Sequence, residues 1–127
     1  MNVKKIITGL ALLMLMSSGA ANADWGDVYY CQMTNLVGLT LNGKKISYTE
    51  EKFQFKLDQT KKSMIFGSVG YLSDIELKLL DGASFPSLEE WYAGRVRTVA
   101  YFSEGKFLYS YTGHSGLKAV SADCDKF

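Results

Sequence analysis

The chain predicts an all-β fold, a small antiparallel meander of seven or eight strands that is barrel-like. Three observations carry that reading. Apolar and polar residues alternate with period two in one segment after another. Turn-forming Gly, Asn and Asp residues separate those segments. Eight Tyr, seven Phe and two Trp all follow Ala23, and one proline serves all 127 residues. Such a composition suits pleated, half-buried surfaces.

The first two strands are expected over 27–34 and 36–41, ending at Asn42-Gly43, a favoured hairpin dipeptide. A third is expected over 51–58, where Phe53, Phe55 and Leu57 alternate with Gln54, Lys56 and Asp58. The polar run 58–62 then turns the chain into a strand over 63–68. Another, over 74–80, sets Ile75, Leu77 and Leu79 against Asp74, Glu76 and Lys78. Strands over 95–103 and 106–112 flank Glu104-Gly105, and Phe107, Tyr109 and Tyr111 share one face. The Gly113 to Gly116 turn leads to the last strand, 117–124, with Val120, Ala122 and Cys124 on one face. One segment departs from the pattern and predicts a short helix near residues 86–93. Ser87 and Glu90 have capping-box spacing, Gly94 can end the helix, and Leu88, Trp91 and Tyr92 would share a face.

A leader and one domain are distinguished. Residues 1–23 read as a cleaved secretory signal peptide: Lys4 and Lys5, an apolar run from Ile6 to Met16, and a closing Ala21-Asn22-Ala23. That run is short of the roughly 20 apolar residues a spanning helix needs, so no membrane span is expected after cleavage. Residues 24–127 form a single β domain, periplasmic or secreted. In an oxidising compartment its two cysteines, Cys31 and Cys124, are expected to pair. Paired cysteines bring the first and last strands together, because their Cα atoms must lie within about 7 Å. A meander whose ends meet is a barrel; a two-sheet sandwich is the competing form.

Charge excludes one class of partner. The chain carries 14 basic and 13 acidic residues, and without Lys4 and Lys5 the balance is 12 to 13, or −1. No global field attracts nucleic acid, and no nucleic-acid partner is expected. No cofactor or metal is expected either: zinc wants about four close-spaced ligands, and His114 is the only histidine. His114-Ser115-Gly116 lacks the Gly-x-Ser-x-Gly spacing of a nucleophile elbow, and reads as an exposed hairpin loop. The acidic pairs Glu50-Glu51 and Glu89-Glu90 read as solvated charge, as do the turn-borne Lys44-Lys45 and Lys61-Lys62.

The aromatics remain. Both faces of the 99–111 hairpin carry apolar groups, so the hairpin is either buried on both sides or lines a cavity. Tyr101, Tyr109, Tyr111, Trp91 and His114 are the expected ligand contacts, for a small apolar or sugar ligand. Plain core packing is the ordinary alternative for the same rings.

Asp27-Val28-Tyr29-Tyr30-Cys31, Lys52 to Asp58, Ile65-Phe66-Gly67 and Ala122 to Phe127 together resemble short exported proteins of marine Gram-negative bacteria that have no assigned function. The resemblance implies export and carries no catalytic residue. The meander also looks loosely like a lipocalin barrel, although Asp24-Trp25-Gly26 reverses the order of the lipocalin Gly-x-Trp.

The function expected is non-catalytic binding of a small molecule or a surface. A protein-interaction or inhibitor module is the alternative, with a small hydrolase using His114 behind it. Native mass spectrometry of protein recovered from the periplasm should give the mass of residues 24–127 less two protons. The mass of the full-length chain would overturn the cleavage assignment.

Overall fold

In a computed structural model the described residues are 23–80 and 90–127. They form nine strands: β1 (Val28–Thr40), β2 (Lys45–Ser47), β3 (Lys52–Asp58), β4 (Ser63–Phe66), β5 (Glu76–Leu79), β6 (Glu90–Arg95), β7 (Thr98–Ser103), β8 (Lys106–Gly113) and β9 (Gly116–Lys126). All pairings are antiparallel, in the order β2-β1-β3-β4-β5-β6-β7-β8-β9, and β9 returns to pair with β1. Eight strands thus close into an up-and-down barrel, with β2 as an extra strand beside the second half of β1. The barrel form holds and the sandwich does not.

β1 is long because it serves two neighbours along one edge. Its first half, Val28 to Gln32, pairs with β3, and Val37 to Leu39 pair with β2. Along its other edge it runs beside β9 from Tyr29↔Lys126 to Thr40↔Gly116. The register shifts between Met33 and Asn35. There Thr34 and Asn35 are both exposed, and the inward set passes from Tyr29, Cys31 and Met33 to Leu36. An extra residue in one strand has this effect. Two strands expected on either side of residue 35 are therefore one bulged strand.

The chemistry of the turns explains the hairpins. Glu104 and Gly105 both adopt positive φ, 50° and 76°, as a two-residue turn between right-twisted strands requires. At Asn42-Gly43 the Gly43 N–H donates to the Thr40 carbonyl at 2.9 Å, reversing β1 into β2.

The short helix expected near residues 86–93 is corrected where it can be seen. Residues 86–89 lie outside the described residues; Glu90 to Ala93 belong to strand β6, not to a helix. β6 pairs with β7 over six positions, from Glu90↔Ser103 to Arg95↔Thr98. A capping box offers local hydrogen bonds, whereas this pairing offers a full ladder and buries Trp91 and Ala93. Gly94 is extended rather than left-handed, and a Cβ there would stand 2.7 Å from the Thr98 carbonyl oxygen.

The interior is filled by rings. Phe55 packs against Phe66, Phe102, Phe107 and Tyr29 with centroid separations of 5.1 to 5.7 Å. Phe53 closes on Phe107 at 4.9 Å. An eight-stranded barrel is just wide enough for side chains to fill, and here aromatic side chains fill it. Outside, Lys52, Gln54 and Lys56 alternate with the buried Phe53, Phe55 and Leu57.

Cys31 and Cys124 are direct cross-strand partners on the β1–β9 seam, disulfide-bonded with Cα atoms 4.0 Å apart. The bond joins residues 93 apart in sequence, and on the chain-entropy account it stabilises the fold by about 4 to 5 kcal/mol. Replacing both cysteines with serine should lower the urea midpoint by an amount worth several kcal/mol. An unchanged midpoint would show that strand pairing alone holds the seam.

Candidate functional site

The two barrel ends differ. One, the open end, gathers residues 41–51, the loop 67–75, the Arg95 to Thr98 turn and the Gly113 to Gly116 turn. The opposite end carries the turns at 59–62 and 104–105 and the Trp25 region.

A cleft of about 220 Å³ opens at the open end, lined by Leu36, Tyr48, Thr49, Glu51, Tyr71 and Lys118. They come from four segments: β1, the β2–β3 connection, the 67–75 loop and β9. Leu36, just past the β1 bulge, is buried and forms the apolar floor. Tyr48 follows β2, and its backbone N–H donates to the Leu36 carbonyl at 2.8 Å, fixing it above β1. A Cβ at Gly38 would sit 3.2 Å from Cε2 of Tyr48, so the missing side chain makes room for that ring. Lys118 rises from β9 opposite Gly38. Its Nζ lies 5.3 Å from the Tyr48 ring centroid and 5.2 Å from that of Tyr71. An ammonium within about 6 Å of a ring face is attracted by the ring quadrupole, so two rings hold this one.

Behind the cleft lies a network of phenols. Tyr71 stands edge-on to Tyr109 at 6.3 Å between centroids. The Tyr71 hydroxyl donates to that of Tyr109, and burial with the neighbouring phenols Tyr109 and Tyr111 pushes Tyr71 up to about 12. Burial raises Tyr109 as well, against the opposing pull of the Thr98 hydroxyl and the Arg95 guanidinium. Tyr29, deep in the barrel, is pushed up to about 12 by burial and then by the Asp27 carboxylate.

The expected contact residues separate into three places. Tyr109, Tyr111 and His114 reach the open end: Tyr109 is buried against Tyr71, and Tyr111 is partly exposed with its ring over Gly113. His114 sits at the exposed tip of the β8–β9 hairpin, Nε2 3.5 Å from Nη1 of Arg97. Trp91 points inward and packs edge-on against Trp25 at 5.0 Å. Its indole N–H is buried, without a hydrogen-bond partner among the described residues. Tyr101 faces outward, tilted against Tyr92 at 4.8 Å. Beside Tyr101 on β8 stands Leu108, half exposed. Tyr48, Glu51, Tyr71 and Lys118 were not singled out as contacts by the sequence, because no local motif links four residues spread over three segments.

Among the described residues no group of three His, Cys, Asp or Glu side chains is placed to hold a metal ion. No family model, curated protein or solved structure matches the chain.

The raised phenols give a pH dependence with a definite sign. A tyrosine in the unfolded chain ionises near pH 10, whereas Tyr29 and Tyr71 hold their protons to about 12. Their stabilising contribution is complete below about pH 10 and is lost as pH rises through 12. A tyrosinate absorbance titration should show a late-ionising fraction of the eight tyrosines, with the urea midpoint falling over the same interval. Tyr71→Phe should shrink the late fraction; a single transition near pH 10 with the fold intact would refute the assignment.

Proposed function

We propose that this chain is an exported binding protein that holds a small molecule, without transforming it, in the cleft between Tyr48, Tyr71 and Lys118. The observation that carries the reading is the Lys118 ammonium set between two tyrosine rings over an apolar floor. Flat aromatic walls with one fixed polar group are the usual makings of a small-ligand site. The filled barrel interior moves the expected contact region from the hairpin's inner face to the mouth. The volume favours a small ligand, since drug-sized molecules occupy roughly 300 to 1,000 Å³. Export is supported by the leader-like first 23 residues and by the disulfide. The polar outward residues of β3 run opposite to the lipid-facing apolar band of a membrane barrel.

A second reading, a protein-interaction module, is favoured by the outer row Tyr92, Tyr101 and Leu108 with Val99 beside it. Trp91, buried in the barrel, does not serve as its exposed anchor. The two readings place contact on different surfaces. Amide chemical-shift mapping with free amino acids, neutral monosaccharides and aromatic carboxylates should move Tyr48, Thr49, Glu51, Tyr71 and Lys118. Tyr48→Ala should weaken the responding compound about tenfold, close to 1.4 kcal/mol. If the whole panel leaves these amides unmoved, the small-molecule reading fails.

A further inference from the structure

The cleft holds two opposite charges that do not neutralise each other. Lys118 and Glu51 both line it, yet among the described residues neither makes an ion pair. Elsewhere the same chain pairs its charges readily. Lys106 meets Asp123 at 2.7 Å, Lys126 meets Asp27 at 3.1 Å and Lys78 meets Glu76 at 3.1 Å. In the cleft Lys118 is held on two rings instead, which engage the ammonium but leave its three donors without a carboxylate. Glu51, partly buried, accepts no side-chain hydrogen bond among the described residues.

Backbone geometry brings the loop carrying Tyr71 up beside that carboxylate. Gly70 adopts φ +86°, and a Cβ there would come within 2.7 Å of the Lys52 carbonyl and 3.4 Å of Oε1 of Glu51. Glycine therefore lets the loop carrying Tyr71 pass close against the Lys52 backbone, beside Glu51. The same cleft is lined by Leu36 and by the Tyr48 and Tyr71 side chains.

We infer that the ligand is a zwitterion of free α-amino-acid type with an apolar or aromatic side chain. Its carboxylate meets Lys118, its ammonium meets Glu51, and its side chain lies against Leu36 and the two rings. This rests on the cleft being the binding site, as proposed above, and names the ligand class. The alternatives each leave a charge unanswered. A neutral sugar leaves both, an acid leaves Glu51, and an amine leaves Lys118; a charge whose water a ligand displaces without replacing it as partner is costly. Roughly 220 Å³ accommodates a body on which both charges must be close together.

Calorimetric titration of the folded chain with L-phenylalanine, L-leucine, their N-acetyl derivatives and their carboxamides tests this directly. The free amino acids should bind, and acetylation or amidation should each weaken binding at least tenfold. Glu51→Gln should weaken the free amino acid about tenfold and leave the N-acetyl compound unchanged or tighter, while Lys118→Gln should do the same for the free acid and its amide. If the N-acetyl compound binds wild type as well as the free amino acid does, Glu51 receives no ammonium and the zwitterion is excluded, although the cleft remains a binding site. Binding of neutral monosaccharides alone has the same meaning. Silence of every compound, by titration and by amide shifts, removes the cleft and the zwitterion together. The acetylation series uses unaltered protein, so it decides even if a variant folds poorly.

Discussion

The pairing of β1 with β9 is the constraint on which the rest depends. It joins the two ends of the β domain along eleven register positions, from Tyr29↔Lys126 to Thr40↔Gly116. Every other barrel contact is between strands adjacent in sequence or separated only by the short β2. Those local hairpins can form with little loop-closure entropy, whereas the seam must close nearly the whole chain. A disulfide placed on the seam, at the directly opposed pair Cys31 and Cys124, removes part of that cost from the unfolded state. Closing the seam also eliminates the exposed edges an open meander would leave.

Closure dictates the interior as well. Eight strands enclose a volume that side chains must occupy, and the inward positions of β1, β3, β4, β7 and β8 supply Tyr29, Phe53, Phe55, Phe66, Phe102 and Phe107. The smaller inward residues, Ala93, Ala100 and Ala122, let those rings meet across the axis. Each tilted or edge-to-face contact adds about 0.5 to 1.5 kcal/mol beyond area burial. A barrel packed this way has no calyx along its axis where these rings meet. Polar groups are left to the ends, where strand tips and loops can present them as the interior could not.

Strand existence was legible wherever one face is apolar and the other charged, as in 52–58 and 76–79. It failed in three places, each for a physical reason. The bulge at Thr34 and Asn35 breaks the alternation, so one strand reads as two. β2 is three residues long, too short for any period to register. In β6 a local capping signal competes with a ladder to β7 that only the folded chain supplies. Parity decided the fate of the aromatics. In β7, Ala100 and Phe102 face inward and Tyr101 outward, but apolar residues on both faces hid which was which. The exposed loop position of His114 was legible from the Gly113 to Gly116 turn. The cleft itself was not, because Leu36, Tyr48 to Glu51, Tyr71 and Lys118 meet only after the barrel closes.

That dependence links the seam to the site. Lys118 stands on β9 opposite Gly38 of β1, and Leu36 lies across from Val120. The cation and the floor of the cleft therefore belong to the two strands whose pairing closes the barrel. The β1 bulge is what turns Leu36 inward: strict alternation from Met33 would put Asn35 in that phase, and the floor would be polar. Tyr48 reaches the cleft because β2 extends β1 beyond the barrel rim, and Tyr71 because the 67–75 loop folds back over the start of β3. A site assembled this way exists only in the closed barrel, so ligand bound there adds its free energy to the seam. In this protein the least local contact of the fold also carries the floor and the cation of the cleft.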